Sequence, residues 1–134
     1  MCNDWFRLSA NDTKKKKTSA NDIGGMMNKR DMDILMERIE NSVSQTRNDG
    51  QGEYARDSEN VFANFERVSL FLDIPVEKVI LVYMIKHIDG LCAYADGHRS
   101  QREDVRGRLT DIQVYCRLFW GKVEENDKKQ EEID

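Results

Sequence analysis

Apolar residues recur at Met32, Leu35, Met36, Ile39 and Val43, offsets 0, 3, 4, 7 and 11, which is one face of a helix. That spacing predicts a first helix over about 29–47, ended by the glycines of "RNDGQGE". A second helix is predicted from about Glu59 to Leu72, with Val61, Phe62, Phe65, Val68 and Leu72 turned inward and Asp57 or Ser58 as its cap. The single proline, Pro75, suits the first turn of a third helix reaching about Ala95. This third helix is apolar nearly all round from Val79 to Ile85 and is expected to be central. After "DGHRSQRED", Ser100 and Glu103 have the spacing of a capping box. The fourth helix is predicted to run to about Val123, burying Val105, Leu109, Ile112, Cys116 and Phe119. No segment alternates as a strand does, so the chain reads as all-α, a four-helix bundle. Residues 1–28 read as a flexible tail, 29–123 as the helical domain, and 124–134 as a charged tail that frays.

The polar residues that break these faces are the informative ones. In "ILVYMIKHIDGL", six apolar residues from Ile80 to Ile85 are followed by Lys86, His87 and Asp89. Lys86 and Asp89 share a face, with the small residues Gly90 and Ala93 close to it. The second helix carries Asn60, Asn64 and Arg67 at offsets 0, 4 and 7, and the fourth carries Asp104, Arg108, Asp111 and Tyr115 at 0, 4, 7 and 11. Three helices therefore bear a polar stripe beside a core face. Stripes that converge inside a bundle build ligand sites, whereas Lys86–Asp89 and Arg108–Asp111 taken singly are ordinary ion pairs within a helix.

Composition narrows the partners. The 134 residues fit one domain, and 21 basic against 25 acidic residues give a net charge of −4, unlike a general nucleic-acid binder. No apolar run is long enough for a membrane span. Cys2, Cys92 and Cys116 lack metal-ligand spacing; reduced cysteines packed as small hydrophobes point to a cytoplasmic setting. Lys14–Lys17, between two copies of "SAND", reads as a solvated basic linker, with Trp5, Phe6 and Leu8 as an anchor before it.

Catalytic templates fail for the most part. There is no glycine-rich phosphate loop, no CxxC, no HExxH and no serine-nucleophile motif. "ERIE" supplies Glu37 and Glu40, a spacing that can share magnesium but is common on solvated helices. Arg99, Arg102 and Arg106 cluster near the start of the fourth helix, where amides favour anions, although Glu103 and Asp104 use part of that field.

"YARDSENVFANFERVSLFLDIPVEKVILVYMIKHIDGL" followed by "REDVRGRLTDIQVYCRL" resembles the phage nucleotide modification associated domain family, small helical proteins similar to the MazG-like all-α nucleotide pyrophosphohydrolases. The resemblance spans Tyr54 to Leu118 and rests on the order of Tyr54, Asn60, Phe65, Lys86 with Asp89, and Asp111 before Tyr115. It implies a MazG-like bundle. MazG-like enzymes hold magnesium through ExxE and ExxD pairs, but here Arg108 stands three residues before Asp111 and Lys86–Asp89 replaces a carboxylate pair. Cations in those places suit phosphate directly and leave no metal or cofactor to be held.

The resulting expectation is a phage-encoded, non-catalytic nucleotide-binding protein of an infected bacterial cytoplasm, a sponge that sequesters a nucleotide signal of host immunity. Its ligand-binding residues would be Asn60, Asn64, Arg67, Lys86, His87, Asp89, Arg108, Asp111 and Tyr115, with the cations on phosphates, the asparagines on polar edges and Tyr115 stacked on a base. The alternative is a magnesium-dependent pyrophosphohydrolase or nucleotide-modification accessory enzyme using Glu37, Glu40, Asp89 and Asp111. The expected partners are a small nucleotide and further copies of the chain as a homo-oligomer, without nucleic acid or membrane.

Overall fold

A computed structural model describes residues 25–134; the tail expected before Gly25, with its aromatic anchor and lysine run, lies outside the described residues. The chain is all-α. Four helices, α1 (Lys29–Gly50), α2 (Ala63–Leu72), α3 (Val76–Ala95) and α4 (Val105–Ile133), are the main elements, and no strand occurs among the described residues.

Asn28 caps α1 by accepting from the Asp31 amide at 2.9 Å. The helix does not stop at the glycines as expected. It continues through Gly50 into a π-helical turn, Gln51–Ala55, and ends only at Arg56, whose φ of 53° is left-handed. Tertiary contact outweighs the glycine signal here: Gly50 and Ala55 are buried, and the Tyr54 carbonyl accepts from Arg67 on α2 at 3.1 Å. Asp57 and Asn60 then shape the connection by accepting from the Glu59 and Phe62 amides, so α2 starts later than predicted, at Ala63.

The helix α4 holds the molecule together, packing against both α1 and α3, while α2 rests on α3. The core consists of Val43, Phe62, Phe65, Val76, Val79, Ile80, Val114, Tyr115 and Leu118. On α3 only one side faces it. Val76, Val79, Ile80 and His87 are buried, whereas Leu81, Val82, Ile85 and Ile88 are exposed, so within one chain the apolar surface of this helix is covered on one side only.

The face predicted for α4 is buried only in part: Phe119 packs against the core, and Val105 and Ile112 are half-buried. Thr110, Asp111, Val114, Tyr115, Leu118 and Lys122 are buried, while Leu109 and Cys116 point outward. At about 100° per residue Phe119 lies roughly 40° from Tyr115, on the edge of the buried face, while Leu109 and Cys116 lie on the far side. Cys92 is exposed as well, so neither described cysteine packs in the core. Beyond Val123 the helix persists to Ile133 instead of fraying. Lys122, its ammonium 5.3 Å from the Phe62 ring centre, pairs with Glu125 at 2.8 Å, and Asn126 donates to Glu77 of α3. No helix among the described residues is long and apolar enough to cross a membrane.

Candidate functional site

The buried polar face of α4 meets α3 where its apolar run ends. His87 points into the molecule, with its side chain wholly buried, and Lys86, one residue earlier, lies at the rim and is 42% exposed. From α4 come Arg108, 12% exposed, and behind it Asp111 and Tyr115, both buried. Gly90 lets Arg108 cross α3. A Cβ at that position would lie 2.5 Å from the Arg108 Cζ and Nε, so any side chain there would evict the guanidinium.

The residue that joins these groups is Glu103. Its carboxylate lies 3.5 Å from Lys86 Nζ, 3.4 Å from Arg108 Nη1 and 3.9 Å from His87 Nδ1. The capping box that would have employed it does not form, because Asp104 caps α4 by accepting from the Arg106 amide at 2.7 Å. Glu103 is therefore left to reach across to α3. Gln101 completes the framework, donating to the Gly90 carbonyl at 2.7 Å and accepting from Arg108 Nε at 3.0 Å. Sequence spacing gave no signal for Gln101 and marked Glu103 only as a capping-box residue, because the reach of a loop side chain follows no helical period.

Burial sets the charge states. It pushes the Asp111 carboxyl up to about 8, Glu103 adding to the effect and Lys86 and Arg108 opposing it. Burial likewise pushes His87 down to about 4, partly offset by Glu103. At neutral pH His87 is uncharged and Asp111 largely protonated. Lys86 and Arg108 converge on the Glu103 carboxylate.

The structure thus brings together Lys86, His87, Arg108, Asp111 and Tyr115 of the nine expected residues. Tyr115 cannot stack on a base as expected. Its ring is 1% exposed, lying near parallel to Tyr83 and His87 with Phe65 at its edge. Asp89 is exposed and does not pair with Lys86; the cation turns to Glu103 instead. Asn60 is used locally, accepting from Phe62 and donating to Glu66 at 2.8 Å, and Arg67 is exposed on the Tyr54 carbonyl. Asn64 keeps a buried Oδ1 with no hydrogen-bond partner among the described residues.

The carboxylates of the enzymatic alternative are dispersed. Glu40 is held by Arg117 through two contacts at 2.7 and 3.0 Å, which lowers its pKa, and Glu37 is exposed. Among the described residues, no three His, Cys, Asp or Glu side chains gather as a metal-holding group. Arg99 lies over the Tyr94 ring at 4.2 Å, and Arg106 is exposed beside Asp104, so the arginines near the start of α4 do not converge on one point.

A separate open cleft of about 380 Å³ lies between α1, the segment before α2 and α4, lined by Arg47, Asn48, Phe62, Arg117 and Gly121 among others. No family model matches the chain, and neither the curated proteins nor the solved structures give a match to it.

Proposed function

We propose that the protein is a non-catalytic binder of small nucleotides and holds their phosphates with Lys86 and Arg108. The observation that carries this reading is the convergence of these two cations, from different helices, on a single carboxylate. A group held in this way has the charge and size of a phosphate oxygen pair, and Arg108 has the planar donors that suit it. Tyr94, one turn beyond Gly90 and covered by Arg99, offers a half-buried ring for a base, the role expected earlier of Tyr115. The resemblance over Tyr54–Leu118 adds the MazG-like fold and the phage setting, in which such a binder acts as a sponge for a nucleotide immune signal.

The same reading includes self-association. Leu81, Ile85, Ile88 and Cys92 form an exposed seam at offsets 0, 4, 7 and 11 on α3, and a second copy of the chain is its occupant. Lys78 and Asp89 lie along one flank of this seam, toward opposite ends. Two copies running antiparallel place the lysine of each beside the aspartate of the other.

Calorimetry with linear and cyclic nucleotides, with and without EDTA, tests the binding. Binding should persist in EDTA and weaken as salt rises. Arg108→Ala should cost on the order of 2–5 kcal/mol of binding, as for a largely desolvated charge. Lys86→Ala should cost less, about 1 kcal/mol, because its side chain is more exposed. Turnover of any nucleotide that EDTA abolishes would sink the proposal in favour of the magnesium enzyme.

A further inference from the structure

The anion between Lys86 and Arg108 belongs to the chain itself. We propose that the Glu103 carboxylate occupies the seat of a ligand phosphate and has to swing out before a ligand enters, so that it sets the charge threshold of the site. The inference rests on the phosphate-binding reading and names the ligand class that the site admits: phosphate monoesters and pyrophosphates, in preference to diesters.

Three observations support it. First, the contacts of Glu103 are loose. Its ion pairs measure 3.4 and 3.5 Å, beyond the range of close charge-assisted hydrogen bonds. Second, Glu103 is 28% exposed and lies in the connection between α3 and α4, next to the exposed residues Arg102 and Asp104. Water is therefore close by for a displaced carboxylate. Third, Arg108 has an anchor other than Glu103. Gln101 accepts from its Nε at 3.0 Å and is itself tied to the Gly90 carbonyl, so the guanidinium keeps its place when the carboxylate leaves.

Charge then decides which ligands succeed. Every entering ligand meets the same displacement cost. A diester carries one negative charge and merely exchanges it for that of Glu103. A terminal phosphate carries about −1.5 to −2 at neutral pH and gains an additional interaction with the two cations. The site should therefore discriminate against cyclic diesters through the charge of the phosphate.

Calorimetry on the full chain separates this inference from the reading beneath it. The probes are inorganic pyrophosphate, a 5′-nucleoside monophosphate and a cyclic nucleoside monophosphate. Glu103→Gln should bind all three roughly tenfold more tightly than the natural chain, and should bring the cyclic diester into measurable range. Glu103→Asp, which retracts the carboxylate by one methylene, should give a smaller gain in the same direction and serves if the glutamine variant folds poorly. Weaker or unchanged binding in both variants, with the natural chain still binding the monophosphate, would overturn the role of Glu103 and leave the nucleotide reading intact. Gain of pyrophosphate binding without nucleotide binding would support the seat and overturn the nucleotide reading. Absence of binding by every form, with every probe, would overturn both.

Discussion

Asp111 and His87 are both buried, and they respond to pH in opposite ways. Asp111 has its folded pKa raised from 3.8 to about 8, so its proton is held by the fold between those values and stability falls as pH rises through that window. His87 has its folded pKa lowered from 6.5 to about 4, so stability is present above 6.5 and is lost as pH falls toward 4. Each slope is about 1.4 kcal/mol per pH unit at most. Between about pH 4 and 6.5 the two cancel, and between about 6.5 and 8 only the Asp111 slope remains. Asp111→Asn should therefore abolish the decline above pH 6.5 and uncover a rise in stability from pH 4 to 6.5. Urea unfolding at half-unit pH steps reads this directly; an Asn variant that follows the natural chain at every pH would show that Asp111 is ionised in the fold.

At the scale of elements, the Arg108 side chain of α4 lies over a glycine in the interior of α3, where glycine costs about 1 kcal/mol relative to alanine. Gly90→Ala restores that propensity but places a Cβ within 2.5 Å of the Arg108 guanidinium. The atoms it meets are the far end of a flexible side chain, which can swing aside. The variant is expected to melt within about 1 kcal/mol of the natural chain and yet lose ligand binding to the extent that Arg108→Ala does. A large loss of stability, or retained binding, would show that Arg108 is not seated over Gly90.

The elements also show how far the sequence could be read. Four helices were legible because each contains a long periodic or apolar run with a break beside it. Faces were less so. On α4 the chain buries the face that contains Asp111 and Tyr115, and the predicted face shares only its Phe119 edge with it, leaving Leu109 and Cys116 outside. Lys86 and Arg108 stood out as cations beside core faces, but their shared partner Glu103 lies in a connection whose reach no period encodes. Tyr115 was recognised as important and given the wrong work, because its neighbours Phe65 and Tyr83 come from distant positions in the chain.

On the scale of the whole molecule, the unresolved balance is apolar surface. Leu81 is 42% exposed, Val82 55%, Ile85 54% and Ile88 43%, all on the side of α3 that faces away from α4. An α-helix of 20 residues extends about 30 Å, and a stable dimer buries about 800 Å² on each partner. The seam supplies an apolar centre for such a contact, and its Lys78 and Asp89 flank favours an antiparallel partner over a parallel one. Light scattering at micromolar concentration should give twice the chain mass of 15.7 kDa. Ile85→Lys should shift the protein toward monomer without unfolding it, since that side chain has no place in the core. Lys78→Asp should weaken the dimer by setting like charges together, and adding Asp89→Lys should restore it. A monomer mass for the natural chain, or failure of the charge swap to rescue association, would remove α3 as the contact between copies.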